Sequence, residues 1–167
     1  LSSAAFARTE KLRVDLSDRV LEGLIDAPKS TGPNPVVVIA TGDDGEIGDR
    51  LYTKLAEGAV QAGFVSIRLE WTFKKAKGAP SPDLAREAEE LGTLVNDMIA
   101  SRMMKQYAVD ATKVALIAKG FGANTTARVC SPTISKPGAG NWKRSAWSTT
   151  LSTPLPRSSQ MPTRRMN

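Results

Sequence analysis

The chain has 167 residues, 41% of them hydrophobic and 24% charged, which is enough length and apolar content for one globular domain with a substantial core. It contains no histidine, so a Ser-His-Asp or Cys-His set, or a histidine-ligated metal site, cannot be assembled from this chain alone. A single cysteine, Cys130, allows no internal disulfide, and no apolar run approaches the roughly 20 residues that span a bilayer.

The net charge of +6 is unevenly placed. Residues 124–167 carry seven basic side chains (Arg128, Lys136, Lys143, Arg144, Arg157, Arg164, Arg165) and no Asp or Glu. Residues 1–123 hold sixteen basic and seventeen acidic side chains and are close to neutral. Such asymmetry predicts a near-neutral body and a basic tail.

In chain order, residues 1–10 read as an extension. Ala5-Phe6-Ala7 resembles the small-residue end of a secretory signal, so a signal remnant is one reading of it and the compartment stays open. Leu12, Val14 and Leu16 alternate with Lys11, Arg13 and Asp15, and Val20–Ile25 is a second short apolar run, which together predict a hairpin. Val36–Ala40 is a β-branched run suited to a strand buried on both faces. Thr41–Gly48 is a glycine-rich turn. Leu51, Leu55 and Ala59, with Tyr52, Ala56 and Val60 beside them, then recur at helical spacing up to Gly63.

Phe64–Leu69 is the next strand, followed by a loop with Lys74, Lys75 and Lys77. Ser81-Pro82-Asp83 is expected to open a long helix, with Ser81 as cap and Leu84, Ala88, Leu91, Val95 and Met98 on its apolar face. Lys113–Ala118 is a third buried-type strand, ending in Lys119-Gly120-Phe121-Gly122-Ala123. Strands alternating with helices imply a mixed, mainly parallel sheet with flanking helices over residues 11–123. Residues 124–167 hold seven Ser, seven Thr and five Pro without sustained periodicity, and are expected to be a poorly ordered or non-native tail.

Three constellations bear on chemistry. The first is the turn after the third buried-type strand, Ala118-Lys119-Gly120-Phe121-Gly122, which has the small-residue spacing of a G-x-S-x-G nucleophile elbow. Together with Val36–Gly45 and with Leu55–Phe73, where Arg68 is followed by Trp71 and Phe73, it resembles the N-terminal part of α/β-hydrolases, the dienelactone-hydrolase-like branch in particular. The resemblance covers roughly residues 12–123. It implies an α/β-hydrolase-like sheet, incomplete at its C-terminal side, and a small ester or acyl substrate cleaved without a cofactor.

The resemblance also implies where the machinery should lie, and where it fails. Gly120 stands at the nucleophile position and has no side chain to attack a carbonyl. Thr41 stands where the family usually has histidine. Ala118, Lys119 and Gly122 complete the elbow, and the backbone amides of Gly42, Asp43 and Phe121 are the oxyanion-hole candidates. The family's later strands, which carry the acid and the histidine, have no counterpart. The expectation is a degenerate or truncated member, inactive as written, whose uncovered last strand leaves an edge for self-association.

The second constellation is Thr41–Gly48, which fits T-G-x-x-G-x-x-G, the phosphate loop of dinucleotide-binding dehydrogenases. Gly42, Gly45 and Gly48 would approach a pyrophosphate, and Glu70, 22 residues past Gly48, would bind a ribose. Against this NAD(P)-binding alternative, Asp43, Asp44 and Glu46 would repel the phosphates, and no Tyr-x-x-x-Lys pair is present. The third is basicity: Lys74, Lys75, Lys77 and the tail suit a non-catalytic interaction protein. No nucleic-acid motif accompanies them, so nucleic acid is set aside as a partner, as is a membrane.

Overall fold

The computed structural model describes residues 8–30 and 32–130 (for residues 97, 98, 100–102 and 104, the backbone alone). The N-terminal segment read as a signal remnant, and all but the first seven residues of the expected tail, lie outside the described residues.

Strands β1 (Arg8–Asp15) and β2 (Val20–Ala27) form the expected antiparallel hairpin, Arg8 opposite Ala27 and Asp15 opposite Val20. Its alternation buries Leu12, Val14, Leu21 and Ile25 on one face. Strand β3 (Asn34–Ala40) is followed by helix α1 (Arg50–Gln61) and strand β4 (Val65–Glu70). The sheet order is β1-β2-β4-β3-β5, where β5 is Val109–Ala118. β2 runs antiparallel to β4, whereas β4, β3 and β5 are mutually parallel.

The β-branched run of β3 explains its central place, since a strand buried on both faces needs no polar alternation. Val36, Val38 and Ala40 point into the larger core with Ile67, Leu69, Trp71, Leu91, Leu94 and Ile99. Val37 and Ile39 point the other way, against Tyr52 and Ala56 of α1. The buried stripe of α1 is thus Tyr52, Ala56 and Val60, while Leu51 is 51% exposed. The stripe is turned by one residue from the one centred on Leu51, Leu55 and Ala59.

The segment after β4 differs in detail from expectation. The lysine loop begins as a single helical turn, α2 (Thr72–Lys75). Helix α3 (Ala85–Thr93) starts two residues past Asp83, because Leu84 takes a left-handed conformation at φ 56°. Asp83 Oδ1 accepts the Ala85 N–H (3.1 Å), and Ser81 Oγ accepts that of Arg86 (3.4 Å), so both polar residues cap the helix from outside it. The helix continues as a π-helical stretch (Leu94–Met103) and ends in α4 (Met104–Gln106).

Two α3 carboxylates are buried rather than solvated. Glu90 accepts from Arg19 Nε (2.9 Å), from the Thr72 N–H (3.3 Å) and from the Thr72 hydroxyl. Glu87 accepts from the Ser81 N–H (2.9 Å) and hydroxyl. They fasten both ends of the β4–α3 connection, a use of buried acids made tolerable by full hydrogen bonding.

Helix α5 (Phe121–Cys130) packs against α3 and β5. The domain boundary expected at Ala123 falls inside it, and residues 124–130 are helical. Asn124, Thr125 and Thr126 are weak helix formers, but Thr125 and Thr126 are buried and Thr125 Oγ1 donates back to the Phe121 carbonyl (3.3 Å). Tertiary burial overrides propensity here.

Candidate functional site

The pairing of β3 with β5 sets Ala40 opposite Ala118, which brings Thr41–Gly48 and the turn at Lys119–Gly122 together at one end of the parallel strands. This is the end at which open α/β sheets place their ligand sites.

The turn between β5 and α5 is a tight strand-to-helix reversal. Gly120 is exposed and left-handed at φ 55°, and Phe121 begins α5 directly after it. Gly122 N–H donates to the Lys119 carbonyl and Ala123 N–H to that of Gly120 (3.0 Å each), closing the tight strand-to-helix reversal. Gly122 cannot be larger: a Cβ on it would lie 2.6 Å from the carbonyl oxygens of both Ala40 and Thr41. A Cβ on Gly120, by contrast, would meet only Asp43 Oδ1, at 4.0 Å. The two glycines therefore do different jobs, one for close approach and one at a strained, open apex.

The Gly42–Gly48 loop is wrapped around Tyr52. The Gly42 N–H donates to Tyr52 Oη (2.9 Å), and a Cβ on Gly45 would strike the Tyr52 ring at 2.7 Å. The Gly42 amide is accordingly spent on α1. Asp44 bridges to Lys119 of the elbow (2.7 Å); that hydrogen bond holds its carboxyl below the usual carboxylate range and raises the lysine. Trp71, fully buried, donates Nε1–H to the Thr41 carbonyl (2.9 Å). Phe121 stands edge-on to both Trp71 (5.5 Å) and Phe73 (5.4 Å). Two of the three residues of the Arg68, Trp71, Phe73 pattern thus pack against the start of α5.

Arg68 faces the other side of the sheet. It donates to Asp26 Oδ2 (2.9 Å), to the Ile47 carbonyl (2.9 Å) and to Thr53 Oγ1 (3.1 Å), tying β4 to β2, the glycine loop and α1. Thr9 completes the Asp26 carboxylate (2.5 Å). No sequence spacing marks this pair, because its members are 42 residues apart and become neighbours only through the β2–β4 ladder.

Of the residues of the dinucleotide alternative, Gly45 and Glu70 line one cleft, whereas Gly42 and Gly48 do not. A cleft of about 750 Å³ between the hairpin, the loop and α2 is lined by Asp43, Gly45, Glu46, Glu70, Lys74 and Lys75, among others. Burial pushes the Glu70 carboxyl above its ordinary value, opposed by Lys74 and the Ile47 amide. Two of the loop's amides are occupied, Gly42 by Tyr52 and Glu46 by Asp49 Oδ2 (2.9 Å), and Lys74 Nζ donates to the Gly45 carbonyl. An antiparallel strand, β2, also lies beside β4, where a doubly wound dinucleotide-binding sheet would continue parallel. Among the described residues no cluster of His, Cys, Asp and Glu could hold a metal ion, and no helix is long and apolar enough to cross a membrane.

No family model matches the chain, and no curated protein matches it. Solved structures do. A thermostable esterase from Pseudomonas putida is similar at TM-score 0.59 and 15% identity, over 77% of this chain and 39% of that one. One of two Rhizomucor miehei esterases is similar at TM-score 0.61 and 21% identity, over 78% and 40%. Brefeldin A esterase, a bacterial homologue of human hormone-sensitive lipase, is similar at TM-score 0.57 and 16% identity, over 75% and 35%. The chain spans about two fifths of the length of these esterases. With the sheet order, these likenesses identify the fold of the described residues as that of the α/β-hydrolases.

Proposed function

We propose that this chain derives from an ester hydrolase and keeps the scaffold of the nucleophile elbow without hydrolytic activity of its own. The observation that carries the reading is Gly120: a left-handed apex residue, exposed, between a parallel strand and a helix, with no side chain. A reactive oxygen or sulfur at that apex is what the elbow geometry serves. The absence of any histidine in the 167 residues supports the same reading, since no imidazole base is available within the chain. The esterases of similar fold support a small ester as the substrate class of the parent activity. The finer attribution, to a dienelactone-hydrolase-like branch, rests on the sequence leading into the turn, Val109–Ala118, and on the run of Arg68, Trp71 and Phe73.

Turnover of p-nitrophenyl acetate by the chain and by its Gly120→Ser variant tests this. Both are expected to stay at the buffer rate, because a serine without a base is protonated and weakly nucleophilic at neutral pH. A rise of several orders of magnitude on introducing the serine would reveal a base within the chain and overturn the reading.

A further inference from the structure

The cleft between the hairpin, the glycine loop and α2 is lined by residues from Lys11 to Lys75 and lies on the α1 face of the sheet. In β1, β2 and β4 the larger core takes Leu12, Leu21, Ile25 and Leu69, so Lys11, Arg13, Glu22, Leu24 and Glu70 project from the opposite face. Helix α5, where the described residues end, belongs to the core side, with Phe121 and Val129 packed there. Charge in the cleft is segregated. On the hairpin side Lys11, Arg13 and Lys75 surround one carboxylate, Glu22. Lys75 Nζ donates to it (2.5 Å) and, helped by Arg13 and Lys11, holds it below the usual carboxylate range. On the loop side Asp43, Glu46 and Glu70 share one ammonium, Lys74, which is turned to the Gly45 carbonyl. Burial, with Glu46 and Asp49 adding to it, raises the Glu70 carboxyl. Asp44 is engaged by Lys119 (2.7 Å). The side chains of Lys11, Asp43 and Glu46 make no hydrogen bond or ion pair among the described residues.

We propose that this cleft binds a short zwitterion of tripeptide length, its ammonium against Glu70 and Glu46, its carboxylate against Lys11 and Arg13, and its apolar middle over Leu24 and Ile47. The strand register sets the span. Arg13 is opposite Glu22, and Glu22 is opposite Glu70, so Arg13 and Glu70 stand in one row across three strands, with their Cα atoms about 10 Å apart. Three extended residues cover about the same length. The register also sets two carboxylates directly opposite each other, Glu22 and Glu70, an arrangement that weakens a ladder and that a bound ammonium offsets. A simple anion would meet the three carboxylates of the loop side, and a simple cation the three cations of the hairpin side. Separated charges of both signs are what the cleft selects. This inference does not depend on the hydrolase reading, because neither Gly120 nor Phe121 lines the cleft.

The test titrates the full chain, isotopically labelled, with the tripeptide Ala-Leu-Ala, with its N-acetyl form and with its C-terminal amide, and follows backbone amide chemical shifts. The free tripeptide is expected to shift Gly23, Leu24, Gly45 and Ile47, and each blocked form to bind about tenfold more weakly, since each lacks one charge-assisted contact. Glu70→Gln is expected to lose most of the preference for a free amine and to keep that for a free carboxylate. The Lys11→Ala, Arg13→Ala double variant is expected to do the reverse. The comparison of free with blocked peptides on the unaltered chain stands without the variants. Equal binding of the three peptides, no binding of the free one up to about 10 mM, shifts centred on Gly120 and Phe121, or variants that lose both preferences alike would overturn the proposal.

Discussion

Gly122 and Ala40 approach so closely that a Cβ on the glycine would lie 2.6 Å from the alanine carbonyl oxygen. That contact seats the N-terminus of α5 on the end of β3, and it separates Gly122 from Gly120, whose added Cβ has only Asp43 at 4.0 Å. The two glycines of the turn therefore carry unequal predictions. Gly122→Ala must displace backbone and is expected to cost about 3 kcal/mol. Gly120→Ala carries only the penalty of a left-handed side chain, about 1 kcal/mol. Urea denaturation of both variants checks this; equal costs would mean that the turn lacks the geometry described.

Asp26 and Arg68 are a buried pair, their side chains 8% and 7% exposed. Removing one partner strands the other charge, so Asp26→Ala is expected to destabilise the fold by about 3–5 kcal/mol. Replacing both, as Asp26→Leu with Arg68→Met, is expected to recover much of that loss. A double variant whose loss equals the sum of the two single losses would show that the two residues do not act as a pair.

Glu70 gives a pH dependence with a definite sign. Burial is the largest influence on its carboxyl and raises it, so the folded state holds the proton more tightly than the unfolded chain. Such a group costs no stability below the unfolded carboxylate range. The cost grows as pH rises through the window between the unfolded and folded values, and persists above it. Glu70→Gln is expected to be more stable than the parent at pH 7 and to lose that advantage as pH falls below about 4. Chemical denaturation across that range is the check; an advantage that grows on acidification would contradict the assignment.

Much of the fold was legible in the sequence because the signals were local. The β-branched run Val36–Ala40, the apolar Lys113–Ala118 segment and the alternation of Leu12 and Val14 each named a strand now observed. The small residues at 118, 120 and 122 named the turn. What was not legible depended on tertiary partners. Thr125 and Thr126 gave no helical signal, yet burial under α3 and β5 holds them in α5. Glu87 and Glu90 carry no sequence mark of burial; Ser81 from the preceding turn, and Thr72 and Arg19 from more distant segments, meet them there. Gly42 read as an available amide, and only the packing of α1 on β3 reveals Tyr52 as its acceptor.

The central claim, that the apex of the elbow is chemically silent, is tested most directly by covalent labelling. The chain is incubated with a serine-directed phosphonate and its intact mass is measured. The account predicts an unshifted mass, because Gly120 offers no nucleophile and no histidine activates another. A stoichiometric adduct, one phosphonyl group per chain, formed in step with hydrolysis of p-nitrophenyl acetate, would contradict it.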